Sequence, residues 1–159
     1  MDWKKILTVI GFCAVPLIGG FAVGFTTRDG VQNWYQTLEL PAWRPPNWVF
    51  SPVWTFLYLS MGFASYLVWR DGNGFKGEAR WPLIVYGVML LLNWAWSPLF
   101  FIAHELTGSA VLLTVLTVIV IITGVLFYRI NKIAGYLFVP YVAWLLLAGS
   151  VSWKIAIDN

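Results

Sequence analysis

Five long apolar runs dominate this sequence and limit what it can fold into. A helix of roughly 20 apolar residues crosses the hydrocarbon core of a bilayer, because each residue adds about 1.5 Å along the axis. Such a helix satisfies its own backbone hydrogen bonds, which lipid cannot do. The runs predict five transmembrane helices over residues 6–25, 48–69, 81–103, 107–128 and 134–157.

Composition agrees with this reading. Hydrophobic residues make up 60% of the 159 residues and charged residues only 11%, whereas soluble domains are about 45–50% apolar. We therefore expect an all-α polytopic membrane protein. Residues 1–159 would form one domain, a bundle of five transmembrane helices with a long folded loop between helices one and two. The formal charge of +3 is too small and too scattered to indicate nucleic-acid binding.

The lysines and arginines predict how the bundle is oriented. Five spans place the termini on opposite sides, so the connections alternate between the two sides. One side carries Lys4, Lys5, Arg70, Lys76, Arg80, Arg129 and Lys132, and the other carries Arg28, Arg44 and Lys154. Because the more positive side faces the cytoplasm, the N-terminus is predicted to lie there or in the topologically equivalent compartment.

Acidic and basic side chains are absent from the middle of every predicted span. Ion pumps and proton-coupled carriers depend on such groups, so the sequence disfavours those classes. His104 and Glu105 form the only histidine–carboxylate pair, and no further zinc ligand lies near them, although zinc usually takes three or four. We expect no metal, no cofactor and no set of catalytic residues.

Eleven tryptophans are the chain's most distinctive side chains. Those near the span ends fit an interfacial belt, where indole is stable at headgroup level. They are Trp3, Trp34, Trp43, Trp48, Trp69, Trp81 and Trp153. Four others lie deeper, where a buried indole N–H needs a partner that hydrocarbon cannot supply. We expect these four to point inward: Trp54, Trp94, Trp96 and Trp144.

Helical spacing arranges aromatic and small residues into three stripes. The stripes comprise Phe50, Trp54 and Tyr58 on helix two, Asn93, Trp96 and Phe100 on helix three, and Trp144, Ala148 and Val151 on helix five. Asn93 is the only amide in the middle of a span. The stripes fit a pocket between three helices, and equally a bundle packed by aromatics in which Asn93 bonds across helices. Spacing alone does not choose between them.

Helix one contains Gly20 and Gly24 at the spacing that lets two helices approach closely. That approach could lie within the bundle or between two copies of the chain. Both readings stay open at the level of sequence.

Three segments together resemble a known family. The segments WYQTLELPAWRPPNWVFSPVWTFLY, LNWAWSPLFF and LFVPYVAW are similar to signature segments of the translocator protein family, also called peripheral-type benzodiazepine receptors or tryptophan-rich sensory proteins. The resemblance covers nearly the whole chain and all five spans. The segments WRDGNGFKGEA and GVLFYRINKIAG are closer to animal members, which implies the mitochondrial outer membrane.

The resemblance implies a five-helix bundle, often dimeric, whose pocket beneath the first loop binds porphyrins, drug-like aromatics and, in animal members, cholesterol. Matching motifs give the ligand-binding residues as Tyr35, Pro45, Phe50, Trp54, Tyr58, Asn93, Trp96, Trp144, Ala148 and Val151. The aromatic rings would offer stacking surface, Asn93 would orient one polar group and Ala148 would leave space. Trp43 and Pro46, with Pro45, would form a lid.

Sterol binding is less well supported by the motif. Animal members carry a segment of the L/V-x-Y-x-K/R kind near the end of helix five, a pattern that is weak by itself. Here VSWKIAIDN has Trp153 in place of the tyrosine and no basic residue after Lys154. These two residues are the candidate sterol contacts.

The functional expectation is a membrane transporter, receptor or sensor for hydrophobic planar ligands. The enzymatic alternative is light- or oxygen-dependent degradation of a bound porphyrin, with Trp54 and Trp144 as redox participants. It ranks second, because the sequence supplies no general base or metal for such chemistry. The expected partners are the ligand, the lipid bilayer and a second copy of the chain.

Overall fold

The computed structural model describes all 159 residues and contains helices but no strands. The long helices are α1 (Trp3–Asp29), α2 (Asn47–Asp71), α3 (Arg80–Phe101) and α4 (Leu106–Ile130). A short helix α5 (Lys132–Tyr136) then leads into α6 (Val139–Asp158). The five predicted helices are confirmed, with α5 and α6 together forming the fifth.

Four helical regions are long and apolar enough to cross a membrane, and they span Trp3–Thr37, Arg80–Phe101, Leu106–Ile130 and Lys132–Asp158. Helix α2 has 25 residues and therefore a comparable length. Its tryptophans, tyrosines and serines lower its hydropathy, and nine of its residues are buried inside the bundle. The chain is therefore a polytopic helical membrane protein in which α2 supplies much of the aromatic interior.

The first connection is more helical than its composition indicates. After α1 the chain continues as a π-helical turn at Gly30–Trp34 and a 3-10 turn at Tyr35–Thr37, so only residues 38–46 are irregular. Gly30 lies against α3, where an added Cβ would meet the Phe101 carbonyl oxygen at 2.5 Å. Polar residues end the apolar run at residue 25, but they do not end a helix that continues beyond the bilayer.

Helix packing follows the lengths of the connections. Short links make α3 and α4 neighbours, and α4 also packs along α6, whereas α1 packs mainly on α2. Helices α2 and α6 have few close backbone approaches. Aromatic side chains fill the gap between them, with the Trp144 ring 5.8 Å from Phe50 and 6.5 Å from Trp54 between centroids.

Hydrogen bonds join the connections at one end of the bundle. The Asn131 side-chain amide donates to the Asp71 carboxylate over 2.6 Å, and Arg70 forms an ion pair with the same carboxylate. Hydrogen bonds from Arg70 and then Asn131 lower the pKa of the Asp71 carboxyl. The ends of α2 and α4 are thus on one side, as the alternation of spans requires.

The opposite end is tied together by the chain terminus. The Glu39 backbone N–H donates to the Asn159 side-chain oxygen over 2.9 Å, and the Asn159 amide donates back to the Glu39 carbonyl over 3.1 Å. Trp34 stacks on His104 with ring centroids 3.9 Å apart. The first connection, the α3–α4 turn and the C-terminus therefore share one side.

Glycines on α1 and α2 allow the closest contact between helices. A Cβ added to Gly62 would lie 2.6 Å from the Cα of Cys13, and one added to Gly20 would clash with the Tyr58 ring. Gly24 has no neighbour within 4 Å. Gly20 therefore serves a contact within the bundle, and Gly24 does not take part in it.

Substituting Gly62 with alanine is expected to lower the stability of the bundle by about 1 to 3 kcal/mol, because a methyl group there forces the α1 and α2 backbones apart. Gly87→Ala is the matched control, since nothing lies within 4 Å of that glycine. Thermal melting in detergent, followed by circular dichroism, measures both variants. Equal melting temperatures for the two would show that the close approach is not needed.

Candidate functional site

An apolar pocket lies between α2, α3 and α6, beneath the first connection. Its lining consists of Tyr35, Pro45, Phe50, Trp96, Phe100, Phe101, Trp144, Ala148, Val151, Ser152 and Ile155. The cavity volume of the pocket is only about 40 Å³. Ligand pockets usually enclose about 300–1,000 Å³. The pocket is therefore narrow in this state, and a large flat ligand requires it to open.

Seven of the ten predicted ligand-binding residues line this pocket: Tyr35, Pro45, Phe50, Trp96, Trp144, Ala148 and Val151. The first connection contributes two of them, α2 and α3 one each, and α6 three. The first connection closes the top, while α6 presents its stripe of alternating large and small side chains as one wall. The structure thus brings together residues that are more than a hundred positions apart in sequence.

The other three predicted residues lie beside or below the pocket and do not line it. Trp54 packs on Tyr58 with ring centroids 5.4 Å apart and meets Trp144 edge to face. It therefore supports the Trp144 ring from behind. Tyr58 and Asn93 are both buried in the core, at 8% and 5% exposure.

Asn93 is at the centre of a hydrogen-bonded triad that joins three helices. Its Nδ2 donates to the Tyr58 hydroxyl over 3.0 Å, and the Tyr141 hydroxyl donates to its Oδ1 over 3.0 Å. This arrangement is the bonding across helices that polar residues often form in membranes. The two tyrosine bonds hold the Asn93 amide inside the buried core, so a ligand group could reach it only if the packing around it opened.

The four deep tryptophans all pack against the core, which confirms that they point inward. The expected partner for each indole N–H is found only for Trp96, which donates to the Ser109 carbonyl over 3.0 Å. The Nε1 atoms of Trp94 and Trp144 are buried without a partner. The expectation was wrong for these two, because the large rings are placed by packing. Trp94 lies against Gly19, where an added Cβ would clash with the indole ring.

The first connection contacts the bundle through its aromatic residues. Tyr35 is buried and packs edge to face on Phe100 and Phe101. The Trp43 indole donates to the Ser150 hydroxyl on α6 over 3.2 Å, although half of the Trp43 surface is exposed. Pro46 is exposed and immediately precedes α2. The connection therefore lies across the mouth of the pocket.

Some lining residues were not among the predicted ligand contacts. Phe100 was on the helix-three stripe without being assigned to the pocket, and Phe101, Ser152 and Ile155 were not anticipated. Ser152 and Ile155 continue the α6 stripe, since they follow Ala148 and Val151 by one helical turn each. Extending that stripe to the end of α6 would have identified both.

The candidate sterol contacts lie outside the pocket lining. The Trp153 indole donates to the Thr114 hydroxyl over 2.9 Å, and the Lys154 ammonium forms an ion pair with Asp158 at 2.9 Å. Both side chains thus have partners within the chain. Their role toward sterol stays a prediction.

Comparison with known proteins identifies relatives across most of the chain. The sequence profile of the TspO/MBR family matches residues 12–157. The chain is 38% identical to "Translocator protein" of Sus scrofa over 153 residues, which cover 96% of this chain and 90% of the relative. It is 36% identical to "Tryptophan-rich protein TspO" of Archaeoglobus fulgidus over 155 residues, or 98% of this chain and 99% of the relative.

A bacterial relative adds a third name. "Protein CrtK" of Rhodobacter capsulatus is 36% identical over 123 residues, covering 77% of this chain and 76% of the relative. The match to the family profile reaches from α1 to α6 and includes every residue that lines the pocket. Because profile, relatives and helical bundle agree over nearly the full length, this chain belongs to the TspO/MBR family.

Proposed function

We propose that this protein binds hydrophobic planar molecules in the pocket beneath the first connection and acts as a membrane transporter, receptor or sensor for them. The proposed ligands are porphyrins, cholesterol and benzodiazepine-type drugs. The supporting observation is the pocket itself, whose eleven lining residues include nine hydrophobic ones and which is covered by the first connection.

The chemistry of the lining favours a flat apolar ligand. The rings of Phe50 and Trp144 meet edge to face, while Trp96 and Phe100 stack with centroids 5.2 Å apart. Aromatic rings offer large surfaces at low conformational cost, because each has few side-chain rotations to lose. A ligand that slides between these rings exchanges ring–ring contacts for ring–ligand contacts, so the pocket can open without losing its packing.

The test of the proposal is a titration of the purified protein with protoporphyrin in non-ionic detergent. Binding is expected to quench tryptophan fluorescence saturably at one ligand per chain, because Trp96 and Trp144 line the pocket. An isoquinoline carboxamide should reverse the quenching. Quenching that does not saturate, or that persists in heat-denatured protein, would reject the proposal.

The same complex separates binding from the enzymatic alternative. If the protein only binds porphyrin, the pigment should be recovered intact after illumination in air. New products that require folded protein, and that are lost in Trp144→Phe, would favour porphyrin degradation.

The lid prediction concerns the rate of ligand release. Replacing Pro45 and Pro46 with glycine should populate the closed connection less, since the two changes enlarge its free ensemble by roughly 1 kcal/mol. We expect several-fold faster dissociation of a bound aromatic ligand, with a smaller change in association rate. Stopped-flow displacement measures both rates. An unchanged dissociation rate at native helicity would mean that ligands enter between the helices.

The sterol prediction uses the degraded terminal motif. Because Lys154 is engaged by Asp158, Lys154→Ala should leave cholesterol affinity within about twofold of the wild type, as expected for the loss of an exposed charge. Photo-crosslinking with a sterol probe provides an independent check. Labelling chiefly at Trp153 or Lys154 would contradict the prediction.

Location and assembly are proposed on the family resemblance. The animal-like segments support a location in the mitochondrial outer membrane. Overall identity does not distinguish animal from archaeal relatives, since the two values are nearly the same. Fractionation of the native host tests the location. Light scattering of the detergent-solubilised protein tests whether it forms a homodimer.

A further inference from the structure

Unpaired hydrogen-bond donors lie on two residues of the pocket lining and on Arg44 of the first connection. Five buried side-chain polar atoms in the protein have no hydrogen-bond partner, and three of them are Arg44 Nε, Trp144 Nε1 and Ser152 Oγ. Trp144 and Ser152 line the pocket, and Arg44 directly precedes Pro45, which also lines it. Each of the three atoms can donate a hydrogen bond. Buried polar groups without partners are costly and few in native proteins, so a cluster at one pocket requires an explanation.

Arg44 is the charged member of this cluster. Its side chain is partly buried and belongs to the first connection, which also carries the pocket residue Tyr35. The two ion pairs of the protein are Arg70 with Asp71 and Lys154 with Asp158, so no carboxylate of the chain neutralises Arg44.

The acidic residue nearest to Arg44 in sequence does not compensate it either. Glu39 holds the C-terminus through its backbone, which binds Asn159, and its carboxylate forms no ion pair. A guanidinium with no internal partner, on the residue next to Pro45 of an otherwise apolar pocket, is suited to an anionic group on a ligand. Arginine binds carboxylates through two parallel N–H donors, and this fixes orientation as well as adding affinity.

We propose that Arg44 recognises a carboxylate, and that the pocket therefore prefers planar amphipathic acids over neutral molecules of the same shape. The flat body would lie against Trp96 and Trp144, with its acidic group at the mouth beside Arg44 and Tyr35. Trp144 and Ser152 supply donors for acceptor atoms on the body of the ligand. This inference rests on the proposed function and adds the chemical class of ligand to it.

The experiment compares protoporphyrin IX, which carries two carboxylates, with its dimethyl ester, which carries none. Arg44→Gln should weaken binding of the acid roughly tenfold, or about 1.4 kcal/mol, and leave binding of the ester unchanged. Arg44→Lys should recover part of the loss, because it keeps the charge without the planar fork. Arg28→Gln is the matched control, since it removes one exposed positive charge on the same side of the membrane.

The outcomes separate this inference from the function on which it rests. If wild-type protein binds neither porphyrin, the proposed function fails. If it binds acid and ester equally, or if Arg44→Gln weakens both alike, the pocket binds porphyrin but Arg44 does not recognise the acid, and the inference is overturned.

A lipid phosphate could present the same anionic chemistry to Arg44, so the source must be distinguished. To distinguish the two sources, the amount of phosphatidylglycerol that stays bound through purification is compared between wild type and Arg44→Gln. Loss of the lipid in Arg44→Gln with unchanged affinity for the porphyrin acid would assign Arg44 to the membrane surface and overturn the carboxylate proposal.

Discussion

Replacing Trp144 with alanine is expected to weaken protoporphyrin binding by about 1 to 3 kcal/mol, the usual contribution of an aromatic ring that stacks on a planar base. Trp144 forms one wall of the pocket and holds Phe50 through an edge-to-face contact. Its removal therefore takes away stacking surface and loosens the opposite wall. The fluorescence titration measures the loss, with Trp96 still available as a reporter.

Two other tryptophans make this result specific. Trp54→Ala should also weaken binding, by an amount no larger than Trp144→Ala, because Trp54 acts through its contact with Trp144. Trp3→Ala should have no effect, since Trp3 is 66% exposed at the start of α1. Equal losses in all three variants would show that indoles act through general folding, and the pocket assignment would fail.

Replacing Asn93 with leucine is expected to lower the stability of the bundle by about 2 kcal/mol, since hydrogen bonds between membrane helices contribute roughly 1 kcal/mol each at most sites. The substitution leaves the hydroxyls of Tyr58 and Tyr141 without their shared partner. Thermal melting in detergent measures the effect. Tyr141→Phe, which breaks one of the two bonds, should lose about half as much.

This variant also tests the role of Asn93 implied by the family resemblance. If Asn93→Leu melts like the wild type and loses affinity for porphyrin, the amide serves the ligand and not the bundle. The hydrogen bonds of Asn93 to Tyr58 and Tyr141 predict the reverse result. The melting temperature should fall, and affinity for porphyrin should fall only to the extent that the fold loosens.

The membrane helices could be predicted from sequence because lipid imposes a simple rule on them. Long apolar runs must form helices, and the five runs did so. The ends were less predictable, since hydropathy reports where the membrane stops and not where the helix stops. After α1, for example, the chain stays helical from Gly30 to Thr37, beyond the end of the predicted span.

The stripes on α2, α3 and α6 predicted much of the site, because helical spacing determines which residues share a face. Seven predicted residues line the pocket, and the same spacing continued along α6 reaches Ser152 and Ile155. Spacing does not fix how far each face rotates. Trp54 consequently supports the wall instead of forming it, a distinction that depends on contacts between helices distant in sequence.

Contacts over long sequence separations account for the rest. Asn93 was identifiable as a lone amide, but its two partners lie 35 and 48 residues away, on two other helices. The same applies to the tie between Glu39 and Asn159, 120 residues apart. Such pairs depend on the register between helices, which single-sequence periodicity does not determine.

The central claim, that a planar ligand occupies the pocket beneath the first connection, is tested most directly by filling that pocket. Ala148 lines the pocket, whereas Ala143 is exposed on the same helix. Ala148→Phe therefore fills the pocket with a phenyl ring, and Ala143→Phe adds the same ring outside it. Equilibrium titration with protoporphyrin, on samples with matching thermal melts, should show binding retained in Ala143→Phe and reduced at least tenfold in Ala148→Phe. Wild-type affinity in Ala148→Phe would place the ligand elsewhere and contradict the account.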